Sequence, residues 1–175
     1  MAFRWRSACA IAFERACSPV RLRRLSAARR HRFLILALLA GPLGGALLYL
    51  AAHAVGLRLP AVSLSGVSLV KALLLAPVLE ELIFRGGIQT LLDRTARGAR
   101  PVVRGVTVGN VLTSALFAAA HLWVAPLALA AAIFLPSLVF GRLRQLYPSL
   151  LPAMVVHAVY NGCYLVTGMT WSTRF

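Results

Sequence analysis

Two of the chain's four carboxylates, Glu80 and Glu81, are adjacent and lie within a long apolar stretch. At membrane depth a carboxylate costs about 2.5–3.5 kcal/mol even on the mildest insertion scale. Arg85 follows Glu81 at i+4, so these two side chains share one helix face at salt-bridge distance, whereas Glu80 points about 100° away. Such a pair persists in a membrane when it is paired, hydrated or functional, and Glu80 has no same-helix partner at this spacing.

Two further apolar segments each carry one polar stripe. His157 and Asn161 are four residues apart, and Tyr164 follows one turn later. The other stripe consists of Asn110, Ser114, Phe117 and His121. Spacings of three and four place residues on one face of a helix. We therefore predict that three helices direct these groups towards a shared interior near the middle of the membrane.

The three patterns together resemble a known family. They read Glu80-Glu81-x-x-x-Arg85, then Phe117-x-x-x-His121, then His157-x-x-x-Asn161, in this order on separate predicted helices. This arrangement is similar to that of the CAAX protease and bacteriocin-processing family, which includes the type II CAAX prenyl endopeptidase. The resemblance covers roughly half of the chain, and all three motifs match.

The resemblance implies an intramembrane endopeptidase of the glutamic type, which hydrolyses a peptide bond near the end of a membrane-associated protein or peptide. The implied catalytic residues are Glu80 and His121, which activate water, and His157 and Asn161, which stabilise the oxyanion. The implied supporting residues are Glu81 and Arg85, as an orienting ion pair, and Phe117, beside the histidine of its motif. Prenylated or unmodified tails, bacteriocin leaders and C-terminal sorting signals are the candidate substrates, the last of these in a myxosortase-like role.

Three alternatives remain open at this stage. Catalysis without a cofactor is predicted, but Glu80, His121 and His157 could instead hold a zinc ion with one open position. The adjacent glutamates could line the ion pathway of a transporter, although no inverted repeat is evident in the sequence. The chain could also be a membrane scaffold on a protease-like fold that has lost catalysis.

The composition places the chain among membrane proteins. It is 60% hydrophobic and 13% charged, with a mean hydropathy of +0.81, whereas a soluble domain is about half apolar and a quarter charged. The net charge is +15, but nine basic residues lie in the first 32 positions, four in 94–104 and two in 142–144. The exceptions are Arg58, Lys71 and Arg174 on the opposite predicted side and Arg85 within a span. This positive-inside bias indicates a bilayer rather than nucleic acid as partner, and a cytoplasmic amino terminus.

The predicted architecture is all-α, a polytopic transmembrane helix bundle of about five spans. The predicted spans are 33–54, 67–92, 106–123, 125–140 and 150–169, each near the length of about 20 residues that a crossing requires. Residues 1–32 are predicted to form a basic cytoplasmic amino-terminal segment, and 33–175 the transmembrane protease domain. The fourth span has almost no polar side chain and is predicted to serve in packing. The richness in Arg and Ala favours a bacterial inner membrane as the location.

Overall fold

The computed structural model of the protein describes residues 26–56, 65–103 and 105–172. Its helices are α1 (Ala27–Ala54), α2 (residues 66–93), α3 (Val108–Ala120, continued by a 3₁₀ turn His121–Trp123), α4 (Leu127–Leu146) and α5 (Leu151–Ser172). The prediction of an all-α helix bundle is confirmed. A short antiparallel hairpin, β1 (Pro101–Val103) and β2 (Val106–Thr107), lies in the predicted polar connector and was not expected.

Helix α1 begins before the predicted first span. Ser26 caps its amino end, where the Ser26 hydroxyl accepts a hydrogen bond from Arg29 N at 3.4 Å. Residues 27–32 of the predicted basic segment therefore form the first turns of α1, and residues 1–25 of that segment lie outside the described residues. By length and composition, Ala27–Ala54 and Leu127–Leu146 are each able to cross a bilayer, and Val108–Trp123 and Leu151–Thr167 are shorter apolar helices.

The exposure pattern of the bundle differs from that of a soluble protein. Large apolar side chains cover the outside, such as Leu36 and Leu39 on α1 and Leu135 on α4. The buried polar residues are Glu81, Arg85, Gln89, Thr107, Asn110, Thr113, Ser114, Ser137 and His157. Because water disfavours an extensive apolar surface, this pattern is typical of a bundle surrounded by lipid.

Helix α2 alternates between two helical forms. It is π-helical at Lys71–Leu75 and Leu82–Gln89 and α-helical in its other parts. A π-helix has more residues per turn than the 3.6 of an α-helix, so the mixture averages about four. Side chains spaced by four therefore stay in one line, which runs through Glu81, Arg85, Gln89 and Asp93. The first three are fully buried, and Gln89 Nε2 donates to Asp93 Oδ2 at 3.3 Å.

Helix α4 does more than pack, so the prediction for the fourth span was wrong in this respect. Arg85 Nη2 donates to both oxygens of Ser137, the hydroxyl at 2.7 Å and the carbonyl at 3.0 Å. One turn further, Gln89 Nε2 donates to Gly141 O at 3.0 Å. Gly141 has no side chain, and this leaves room for the Asn110 amide, which donates to Leu138 O at 3.1 Å. The polar line of α2 is thus held against α4 turn by turn.

The hydrogen bonds between α2 and α4 continue to the hydroxyl of Thr107, which contacts several elements. Thr107 Oγ1 donates to Asp93 Oδ1 at 2.7 Å and accepts from Gln145 Nε2 at 2.7 Å. It also accepts from Asn110 N at 3.1 Å, which caps α3. A hydroxyl offers one proton and two lone pairs, so all of its hydrogen-bonding capacity is used. Thr107 therefore joins the end of α2, the start of α3 and the end of α4.

The topology gives a testable prediction. The sequence predicts five crossings, which with the positive-inside bias predict a cytoplasmic amino terminus and an external carboxyl terminus. Reporter fusions after Arg100 and after Phe175 should therefore report opposite sides of the membrane. A fusion after Tyr147 is the control and should agree with the one after Arg100. The same side for Arg100 and Phe175 would contradict five crossings.

Candidate active site

Glu81 lies between a guanidinium and an imidazole. Its side chain is fully buried, and its Oε2 is 3.4 Å from Arg85 Nε. Its Oε1 is 3.0 Å from His157 Nδ1. An ionised carboxylate can only accept hydrogen bonds, so the proton of this contact lies on His157 Nδ1. Glu81 therefore fixes the orientation and the tautomer of His157, while Arg85 balances its charge.

The second nitrogen of His157 faces the other glutamate. His157 Nε2 is 3.6 Å from Glu80 Oε2, within ion-pair distance but longer than a hydrogen bond. The two glutamates and His157 thus form one cluster of close contacts, here called the Glu–His cluster.

The two glutamates differ in accessibility. The Glu81 side chain is 0% exposed, whereas that of Glu80 is 30% exposed. Glu80 Oε2 is enclosed beside His157 and has no hydrogen-bond partner among the described residues. Glu81 is therefore occupied by its contacts with Arg85 and His157, and Glu80 is the glutamate that is accessible to water or a substrate.

Aromatic rings surround the charged groups. The Arg85 guanidinium carbon lies 4.6 Å from the Phe117 ring centroid and 5.6 Å from that of Phe140. The His157 imidazole stacks on Phe140, with centroids 4.7 Å apart and planes at 14°. Cation–π attraction and stacking stabilise both groups and limit their rotation.

His121 also packs against Phe117. Its ring centroid is 4.6 Å from that of Phe117, which is itself 5.8 Å from the ring of His157. His121 Nδ1 is 2.8 Å from Phe117 O, a carbonyl that can only accept, so Nδ1 carries the proton of the neutral ring. The lone pair of His121 is consequently on Nε2, which suits a base or a metal ligand.

Asn161 is tied to α2. Its Nδ2 donates to Ala72 O at 2.8 Å, in the first π-helical stretch. An amide nitrogen has two protons, so one N–H of Asn161 is not used in this contact. Contacts through Phe117 and the Glu–His cluster therefore connect His121, His157, Arg85 and the two glutamates. Asn161 instead contacts the backbone of α2, one turn beyond His157 on α5.

The sequence did not identify two residues of the site, Ser137 and Phe140. Ser137 is a lone hydroxyl after Pro136 in an otherwise apolar stretch, which is a weak signal. Phe140 carried no signal, because an aromatic residue in an apolar helix is ordinary. Both act across the interface between helices, and spacing along one helix does not reveal such partners.

The zinc alternative requires Glu80, His121 and His157 to converge on one point. Within the described parts of the chain, no three side chains of the His, Cys, Asp and Glu types are placed together to hold a metal. Glu80 Oε2 and His121 Nε2 have the donor chemistry that zinc prefers. For a zinc site, His157 Nε2 would have to turn from Glu80 to the ion while Nδ1 stays on Glu81.

Comparison with known proteins identifies a family. The model of the family described as type II CAAX prenyl endopeptidase Rce1-like matches residues 62–163, more than half of the chain. Neither the curated proteins nor the solved structures offer a match. The matched segment contains the Glu–His cluster, Phe117, His121 and Asn161.

Proposed function

Because the chain belongs to the type II CAAX prenyl endopeptidase Rce1-like family, we propose that the Glu–His cluster is the catalytic centre of an intramembrane glutamic peptidase. Membership makes the chain a membrane-embedded hydrolase of peptide bonds. The observation that carries the site assignment is the unequal environment of the adjacent glutamates. Glu81 is fully buried between Arg85 and His157, whereas the Glu80 side chain is 30% exposed.

In the proposed reaction, Glu80 removes a proton from a water molecule whose other hydrogen is held by His121 Nε2. The resulting hydroxide attacks the carbonyl carbon of the scissile peptide bond, and the carbonyl oxygen becomes an oxyanion. Donors aimed at this oxygen lower the barrier because they stabilise charge that develops in the transition state. Collapse of the intermediate breaks the C–N bond, and Glu80 returns its proton to the leaving amine.

His157 and Asn161 are the proposed oxyanion donors. Glu81 accepts the Nδ1 proton of His157, and this stabilises a ring that also carries a proton on Nε2. Such a ring can turn its Nε2 proton from Glu80 to the oxyanion as negative charge moves from one to the other. Arg85 supplies the opposite charge beside Glu81, with 3.4 Å between Arg85 Nε and Glu81 Oε2. The unused N–H of Asn161 supplies the second donor.

The proposed substrate is the carboxyl-terminal portion of a membrane-associated protein, and the proposed role is C-terminal protein sorting in a bacterial plasma membrane. An apolar terminal segment can reach a site among apolar helices, since it loses little on entering the bilayer. Purified protein in vesicles should be assayed with three peptides: a prenylated tail, the same tail without the prenyl group, and a peptide ending in an apolar helix. We expect cleavage of the third, and cleavage of the prenylated tail alone would contradict the sorting role.

Chelation separates the glutamic from the zinc mechanism. We expect the purified enzyme to carry no stoichiometric zinc and to retain its cleavage rate after dialysis against a strong chelator. A metal mechanism predicts that chelation abolishes turnover and that added zinc or cobalt restores it. Elemental analysis beside the assay distinguishes the two mechanisms. One equivalent of bound zinc that correlates with activity would show that the same residues are zinc ligands.

A further inference from the structure

One backbone carbonyl of α2 has no donor within its own helix. In the first π-helical stretch, Ala76 N donates to Lys71 O, five residues earlier. The next bond in this register would run from residue 77 to Ala72 O, but residue 77 is proline and has no N–H. The α-helical donor for Ala72 O would be Ala76 N, which is engaged with Lys71 O. Pro77 therefore leaves Ala72 O unpaired among the backbone donors of α2.

Asn161 takes the place of the missing donor. Its Nδ2 lies 2.8 Å from Ala72 O, and in an apolar environment a carbonyl without a partner is costly. The second π-helical stretch ends in a comparable way: Thr90 N donates to Gly87 O, and the Thr90 hydroxyl donates to Arg85 O at 2.7 Å. In both places a side-chain donor forms a hydrogen bond with a backbone carbonyl of a π-helical stretch.

We infer that Pro77 is a positioning residue for the reaction: it keeps Ala72 O free so that this carbonyl orients the amide of Asn161. The inference rests on the proposed function in so far as Asn161 donates to the oxyanion. An amide is planar, so fixing one of its N–H bonds on Ala72 O also fixes the direction of the other. A backbone N–H at position 77 would compete for Ala72 O and release the amide.

The structural part of the inference is tested by a double-mutant cycle on thermal unfolding. Asn161→Ala should lower the Tm, because it leaves Ala72 O unpaired. Pro77→Ala supplies a backbone N–H that can pair with Ala72 O. The Tm change caused by Pro77→Ala should therefore be about 2–4 °C more positive in the Asn161→Ala background than in the parent protein. Pro42→Ala, at an exposed proline within α1, is the matched control and should have the same effect in both backgrounds. Equal effects of Pro77→Ala in both backgrounds would overturn the inference; Pro77→Leu, which also supplies an N–H, repeats the test if the alanine variant folds poorly.

The catalytic part is tested with the same variants. Pro77→Ala alone should lower kcat about 10- to 100-fold with little change in KM, since one oxyanion donor is misdirected rather than removed. In the Asn161→Ala background it should lower kcat no further, and Pro42→Ala should leave kcat unchanged. Independent, multiplicative losses in the double variant would refute positioning through Asn161. If Asn161→Ala itself keeps full kcat, the proposed oxyanion role fails, while the unfolding cycle still decides whether Pro77 and Asn161 are linked.

Discussion

Glu80→Gln should lower kcat by about 10²–10⁴ while leaving the Tm close to that of the parent. The amide has nearly the shape of the carboxylate but cannot take a proton from water. Little stability should be lost, because the Glu80 side chain is 30% exposed and its Oε2 has no hydrogen-bond partner in the described structure. Cleavage rates and thermal unfolding of the purified variant in vesicles measure the two effects.

Glu81→Gln is the matched control for this experiment. Glu81 accepts from His157 and balances Arg85, so its amide should reduce both the yield of folded protein and the rate. Full activity of Glu80→Gln would contradict its role as base. If the parent protein cleaves no peptide, proton- or sodium-coupled flux across the vesicles would point to a transporter.

Glu81→Ala should destabilise the fold by about 3–5 kcal/mol, because it leaves Arg85 as a buried charge without its counterion. Both side chains are fully buried. The Ser137 oxygens and the rings of Phe117 and Phe140 would still contact the guanidinium, but they carry no negative charge. Unfolding in detergent and the yield of folded protein measure the loss.

Removing both charges separates the structural role of Glu81 from its role in orienting His157. The double variant Glu81→Leu, Arg85→Leu should recover much of the lost stability, since replacing a buried ion pair by apolar side chains is often neutral. It should remain inactive, because His157 Nδ1 then lacks its acceptor. A Glu81→Ala protein as stable as the parent would show that the ion pair has no structural role.

The parts of this site that were predictable are those encoded along a single helix. The pairing of Glu81 with Arg85 follows from their spacing of four. The helices themselves follow from the length of the apolar blocks. Phe117 and His121 are likewise one turn apart, and the structure places their rings together.

Features that depend on contacts between helices were not predictable. The first π-helical stretch of α2 ends just before Pro77 and receives a hydrogen bond from α5, and no periodicity in α2 predicts that donor. The bond from Asn161 ends on a backbone carbonyl, which every residue has, so the identity of Ala72 gave no signal. Ser137 was overlooked for a related reason, since its partner Arg85 lies 52 residues away.

The order of synthesis gives the pairing of Glu81 with Arg85 a further importance. Helix α2 leaves the ribosome before α4 and α5, so neither Ser137 nor His157 is available when α2 first meets lipid. Each isolated charge would then oppose insertion by about 2.5–3.5 kcal/mol. Because Arg85 lies one turn after Glu81, the two charges neutralise each other within the nascent segment. We therefore expect the pair that orients His157 in the assembled bundle also to ease the entry of α2 into the bilayer before its later partners exist.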